Sequence, residues 1–408
     1  MYRILHTADW HLGKMLGDFS REEEHAAFLD FLLETIRTND IDALLIAGDI
    51  FDSANPPQSA VAMYYNFLSQ LQRIRECQVI VIAGNHDSPS HIDAPKQLLK
   101  HLNTHVVGHL PENIEELLIA LPNQENPQVI VAAVPFLRDR DLRTGQSGQS
   151  SADIQAVMTQ SIADCYRRTV NAVITDKNVP IIAMGHLTVA GSSASDSERE
   201  IHIGGLGALT ADRFPSEFCY VALGHLHRPQ RCGKQDHIRY SGSPIPLSFS
   251  EATDKKELVL LEIDATGELK RISIPITPSR QLLVVESSSN EIESILAELA
   301  KNPSPNPLPL WVEINIINPT PGENIAAKIS SLTEKTYYKV IRIVAKKTSP
   351  LPSLSTDLMI EHQQIDELLS RPSDIFDMRV AQELGISVEQ QISLKQTFAR
   401  LLTIHQGE

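Results

Sequence analysis

Five short stretches of this chain carry residues that bind metal ions. They are Asp9-Trp10-His11, Gly48-Asp49-Ile50-Phe51-Asp52, Gly84-Asn85-His86-Asp87, Gly185-His186 and Gly224-His225-Leu226-His227. Asp9, His11, Asp49, Asn85, His186, His225 and His227 make seven candidate ligands, more than the four that close a single zinc site. The set therefore reads as two ions. Imidazole, carboxylate and amide oxygen together suit divalent Mn, Fe or Zn, and Mg to a lesser degree. A carboxylate shared between two such ions holds them roughly 3.5 to 4 Å apart, the spacing at which paired metals stabilise both the attacking and the leaving oxygen of a phosphoryl displacement.

Each stretch follows a short apolar run: Arg3-Ile4-Leu5, Ala43-Leu44-Leu45-Ile46, Val79-Ile80-Val81-Ile82, Ile181-Ile182-Ala183-Met184 and Tyr220-Val221-Ala222-Leu223. These runs are too short for helices and mostly rich in aliphatic residues, so they read as buried strands. Residues 21 to 38 place Phe28, Leu29, Leu32, Leu33 and Ile36 at helical spacing, and Pro56-Pro57 opens a second helix with Val61, Tyr64, Tyr65, Leu68 and Leu71. A third helix is expected over 152 to 176, and a further strand over 129 to 134. Strand and helix alternate, which predicts an α/β fold with a mainly parallel sheet and covering helices. Polar groups beyond the carboxyl ends of such strands converge although they are far apart in sequence. A single strand-end His is ordinarily a hydrogen-bonded residue, and Gly-Asp-x-x-Asp alone is a common turn. Five such turns in succession are not explained that way.

Together these motifs resemble the calcineurin-like metallophosphoesterases. Leu5-His6-Thr7-Ala8-Asp9-Trp10-His11-Leu12-Gly13, Ala47-Gly48-Asp49-Ile50-Phe51-Asp52, Gly84-Asn85-His86-Asp87-Ser88 and the run from Tyr240 to Phe249 are similar to the SbcD family, the nuclease subunits of bacterial SbcCD complexes. The resemblance implies one metal on Asp9, His11, Asp49 and His227, and a second on Asp49, Asn85, His186 and His225, with Mn2+ the expected ion. It implies that His86 is catalytic, either as general acid toward the leaving 3′ oxygen or in stabilising the scissile phosphate. Asp52 stands where some relatives carry a second His, and its carboxylate is expected to hold the other ring nitrogen of His86.

The same resemblance implies a metallophosphoesterase sandwich, central β-sheets flanked by helices, over residues 1–277, and an α+β capping domain over 278–348. Over 349–408 it implies a linker and C-terminal helices, near Ile360 to Leu369 and Val388 to Leu402, that dock on an SbcC-type ATPase. It implies double-strand exonuclease and hairpin endonuclease activity, and a homodimer within a heterotetramer. A phosphomonoesterase or cyclic-nucleotide phosphodiesterase with the same metal core is the alternative enzyme reading, and a non-catalytic scaffold the alternative outside enzymes.

Composition bounds the rest. The 408 residues carry 36 Lys and Arg against 51 Asp and Glu, a net charge of −15, which argues against simple nucleic-acid binding over the whole surface. Local basic groups remain as DNA-contact candidates: Arg138, Arg140 and Arg143, and Arg228 with Arg231. The polar stretch Gly191 to Glu200 and Ser243 are further candidates, although turn chemistry and solvated loops account for them equally. His6, His25 and His202 are not read as ligands. Cys77, Cys165, Cys219 and Cys232 show no Cys-x-x-Cys spacing and too low a density for a disulfide scaffold. No apolar run reaches a membrane span, and a cytoplasmic protein is expected.

Overall fold

The computed structural model describes residues 1–142, 151–173, 179–195, 198, 208–301, 303–319, 324–334, 336–346, 376, 380 and 388–406. The linker at 349–353, the expected helix at 360–369, Arg143, His202 and the side chain of Arg140 lie outside the described set.

Two six-stranded sheets face each other. The first has the order Leu269–Pro275, Glu257–Ile263, Tyr2–Thr7, Ala43–Ala47, Gln78–Ile82, Thr104–Val107. Its last four strands run parallel, and the first two add antiparallel at the edge of Tyr2–Thr7. In the second sheet the order is Gln230–Cys232, Gln235–Tyr240, Phe218–Gly224, Ile181–His186, Val129–Ala133, Leu118–Leu121, parallel through its four central strands and antiparallel at both edges.

Period-two alternation explains how the layers meet. Ile4, Ala43, Leu45, Ile80 and Ile82 point between the sheets, where they join Val131, Ile182, Met184, Val221 and Leu223 in one core. Leu5, Leu44, Ile46, Val79 and Val81 point the other way, onto Phe28, Leu32 and Ile36 of helix Glu22–Thr38 and Tyr64, Leu68 and Leu71 of helix Gln58–Ile74. The fold is thus a two-sheet sandwich flanked by helices. Its inner runs are apolar on both faces because both faces are covered.

Residues Met1–Lys346 form one compact unit and Lys347–Glu408 a second. Within the first, strands Leu282–Ser287, Trp311–Ile317 and Lys339–Lys346 build a separate parallel sheet, closed by helices Ile292–Lys301 and Ile325–Thr333 around Val312, Ile314, Ile316, Leu296 and Ile329. This small sheet is fastened to the sandwich at Trp311. Its ring packs with Phe249 and Leu282 against Leu16 and Phe19, and the Arg280 guanidinium lies 4.2 Å from the ring centroid. Arg280 also lies 2.7 Å from Glu23 and 3.0 Å from Glu24, at the start of the first helix.

In the second unit, helix Val388–Gln406 leaves Ile392 and Leu394 exposed, at 52% and 43%, while Phe398 stacks on Phe376. Among the described residues no helix is long and apolar enough to cross a membrane.

Candidate metal centre

All seven candidate ligands lie at or beyond carboxyl ends of inner strands, as expected. Asp9 and His11 follow Tyr2–Thr7, Asp49 follows Ala43–Ala47, and Asn85 follows Gln78–Ile82. From the second sheet, His186 ends Ile181–His186, and His225 and His227 follow Phe218–Gly224. The turns are unusually tight. Asp9, His11, Asp49 and His225 have positive φ of 54°, 47°, 50° and 103°, a region that side-chain-bearing residues seldom occupy. Such conformations cost of order 1 to 3 kcal/mol each, and persist only where the surroundings enforce them.

The surroundings here are specific. A Cβ on Gly84 would sit 2.1 Å from the Asp49 carboxylate, and one on Gly224 would sit 2.0 Å from the Ala47 carbonyl, so both glycines are required by close approach. Buried Asp87 then ties two ligand turns together, accepting from the amides of Gly84 (2.9 Å), Ile50 (3.2 Å) and Phe51 (3.1 Å).

The ligand atoms converge on Asp49. Its Oδ2 lies 3.5 Å from His11 Nε2 and 3.3 Å from His186 Nε2, while its Oδ1 accepts the His86 amide at 2.9 Å. On one side, Asp9, His11 and His227 bring ligand atoms within 4.8 Å of one another, and so do Asp9, Asp49 and His186. On the other, Asn85 Oδ1 lies 2.9 Å from His186 Nε2 and 3.0 Å from His225 Nδ1.

The donor chemistry fits divalent ions. Among the described residues, Asp9 Oδ2 and His11 Nε2 are buried without a hydrogen-bond partner, an expensive arrangement for polar atoms unless a cation meets them. His11 is poised as a neutral ligand: burial pushes it down to about 4, and Nδ1 is held 3.2 Å from Asp52 Oδ1, which leaves the Nε2 lone pair inward.

His186 is different. Nδ1 donates to the Ala47 carbonyl at 2.9 Å, and Nε2 faces only acceptors, Asn85 and Asp49. Burial opposes its charge, yet the carboxylates of Asp49 and Asp9 overcome that and raise it to about 9. Burial likewise raises Asp9 to about 7, against the pull of His186 and His227, whereas Asp49, for all its burial, is held well below the usual carboxylate range by His186 and His11.

His86 sits half-buried at the mouth. Its ring meets that of His11 edge-on at 4.7 Å, and Nε2 has no partner among the described residues. The pairing expected between the Asp52 carboxylate and His86 is not formed. Instead the Asp52 carbonyl accepts from His86 Nδ1 at 2.7 Å, and the carboxylate turns to His11 and to Lys14 at 3.0 Å. Those two partners lower Asp52 to about 2 in spite of its burial. Lys14 escapes sequence reasoning, because a lysine after a glycine turn carries no signal of its own.

The candidate DNA contacts divide. Arg138 donates to the Asp87 carbonyl at 2.9 Å, beside the site. Arg228, its side chain 41% exposed, pairs with both oxygens of Asp254 at 3.1 Å, and Arg231 pairs with Asp236 at 3.0 Å. Ser243 is wholly buried, with its hydroxyl 2.9 Å from the Ile245 carbonyl, so it belongs to the wall behind His227 and not to the DNA-facing surface. His6 and His25 are buried, lowered to about 3 chiefly by desolvation, and lie outside the ligand clusters.

A metal held by His186 would have to displace its second proton. Below about pH 9 that proton is present, so divalent-ion affinity rises with pH, by up to about tenfold per unit for a single proton. Calorimetric titration with Mn(II) in buffers of different ionisation heat is expected to show tighter binding from pH 6 to 8 with proton release. Affinity that stays flat over that range, with no proton released, contradicts this assignment.

Comparison with known proteins gives the family. The calcineurin-like phosphoesterase family matches residues 2–229. The chain is 36% identical over 418 residues to the SbcD subunit of the Escherichia coli SbcCD nuclease, covering 100% of this chain and 99% of that one. It is 37% identical to the SbcD subunit of Rhodobacter capsulatus over 73% of this chain and 75% of that one, and 33% identical to that of Bacillus subtilis over 77% and 78%. The chain belongs to the calcineurin-like phosphoesterases, in their SbcD lineage.

Proposed function

We propose that this chain is the nuclease subunit of an SbcCD-type complex, a hydrolase that cuts DNA phosphodiester bonds at a paired-metal site. The observation that carries the reading is Asp49: one buried carboxylate oxygen stands between His11 and His186, with Asp9 and His227 on one side and Asn85 and His225 on the other. Asp9, His11, Asp49 and His227 would hold one ion, and Asp49, Asn85, His186 and His225 the other, with Mn2+ the preferred metal. Two ions bound there would supply Lewis acidity to water and to the scissile phosphate.

The chain's own groups do the remainder. Asp52 orients two rings at once, His11 through its carboxylate and His86 through its carbonyl. Holding His86 by Nδ1 leaves Nε2 without a hydrogen-bond partner among the described residues, ready to give a proton to the leaving 3′ oxygen; such a donor contributes about 10² to 10⁴ in rate. Asp52 is thus a positioning residue in this reading. Lys14 and Arg138 add positive charge beside the site for the DNA backbone.

The three-stranded sheet and its helices over 278–348 act as a cap that selects DNA ends and hairpins, and Trp311 fixes that cap in place. A small-substrate phosphomonoesterase has no use for such a cap. The C-terminal helix docks on the ATPase subunit. Its support is the exposure of Ile392 and Leu394, two large apolar side chains on this helix. The complex contains two copies of each subunit and works in the cytoplasm, in keeping with four free cysteines.

With Mn(II) present, His86→Ala is expected to lose about 10² to 10⁴ of the cleavage rate on a labelled duplex and a hairpin while still binding metal. Full activity of that variant would remove His86 from the chemistry, and cleavage of a small phosphodiester but of neither DNA by the wild type would remove the DNA assignment. For the partner surface, Ile392→Asp with Leu394→Asp is expected to abolish co-purification with the ATPase subunit and leave hydrolysis of bis-p-nitrophenyl phosphate intact. Retained association contradicts docking through this helix.

A further inference from the structure

His227 is engaged through its amide, its carbonyl and Nδ1 by residues outside the five ligand turns. Its amide donates to Glu198, its carbonyl accepts from Lys256 Nζ at 2.9 Å and from the Ser243 amide at 3.0 Å, and its Nδ1 lies 3.3 Å from Glu251 Oε1. Glu251 is 0% exposed and Lys256 4%. The two form an ion pair of 2.7 Å, and the remaining protons of Lys256 go to the His227 carbonyl and to Ser243 Oγ at 2.9 Å, so the ammonium is fully used. Glu251 Oε2 accepts in addition from the Leu247 amide at 3.2 Å.

A buried ion pair of this kind returns little net stability, because desolvating both charges offsets their attraction. What the arrangement does supply is direction. A carboxylate can only accept, so Nδ1 points its proton at Glu251 and Nε2 is the nitrogen left to meet a metal beside Asp9 and His11. We propose that Glu251 and Lys256 are positioning residues for metal binding: Glu251 fixes the tautomer and orientation of His227, and Lys256 holds both Glu251 and the His227 backbone in register. Carboxylates behind metal-bound histidines act in this way, and removing one typically costs about 10- to 100-fold in metal affinity. The inference rests on the two-metal reading above.

The test is Mn(II) binding to the full chain, followed through the EPR signal of free Mn(II), in wild type, His227→Ala, Glu251→Gln and Lys256→Met. Expected is a loss of about 10- to 100-fold in affinity at one of two sites in both Glu251→Gln and Lys256→Met, with the other site unchanged. Wild-type affinity in a folded Glu251→Gln overturns the positioning role. If His227→Ala itself binds two ions as tightly as wild type, the underlying assignment of His227 is what fails. A second measurement needs no variant: in wild type loaded with Zn(II), long-range 1H–15N spectra of the histidine rings should show the proton of His227 on Nδ1. A proton on Nε2 overturns the proposal even if the Glu251 and Lys256 variants do not fold.

Discussion

A carboxylate taken out of water must find compensating charge, and the upper end of both sheets is built around that requirement at Asp49. Asp49 is 1% exposed, and it stands between two imidazoles contributed by different sheets. Without metal, the protein meets the demand by charging His186 and keeping His11 neutral. A divalent ion held by these atoms would take over the role of that proton, and the two histidines differ in whether a proton would have to leave first.

The backbone carries the corresponding strain. Four of the seven ligand positions take positive φ, and these turns survive because Asp87, the Asp9 carboxylate and the neighbouring carbonyls tie each to another strand end: the His225 amide, for example, donates to Asp9 Oδ1 at 2.9 Å. Burying five apolar strand runs in two facing sheets provides the rigid base that holds those turns. Fold and site are one construction. The apolar alternation that packs the sheets also sets the direction in which each ligand leaves its strand.

Much of this is legible in the residues. Every ligand turn follows a recognisable strand, and the stripe Phe28, Leu29, Leu32, Leu33, Ile36 is buried as its spacing requires. What is not legible involves atoms and distance. The sequence places Asp52 beside His86, and it is there, but a sequence does not say whether a carbonyl or a carboxylate faces the ring. Ser243 looks available to substrate because Gly-Ser-Pro is normally an exposed turn, whereas here it closes a buried network. Glu251 and Lys256 lie 24 and 29 residues beyond His227, and charged residues at such positions are ordinarily solvated. The antiparallel strands Glu257–Ile263 and Leu269–Pro275 also escape the inner-strand pattern. They lie at the edge of the first sheet, where pairing depends on tertiary context.

The central claim is that Asp49 is shared by two ions. EPR of the protein loaded with two equivalents of Mn(II) addresses it most directly, because ions joined by one carboxylate are exchange-coupled and isolated ions are not. The account predicts a coupled spectrum in wild type that reverts to isolated ions in Asp49→Asn. Two equivalents bound tightly to wild type with only the spectrum of isolated Mn(II) would contradict it.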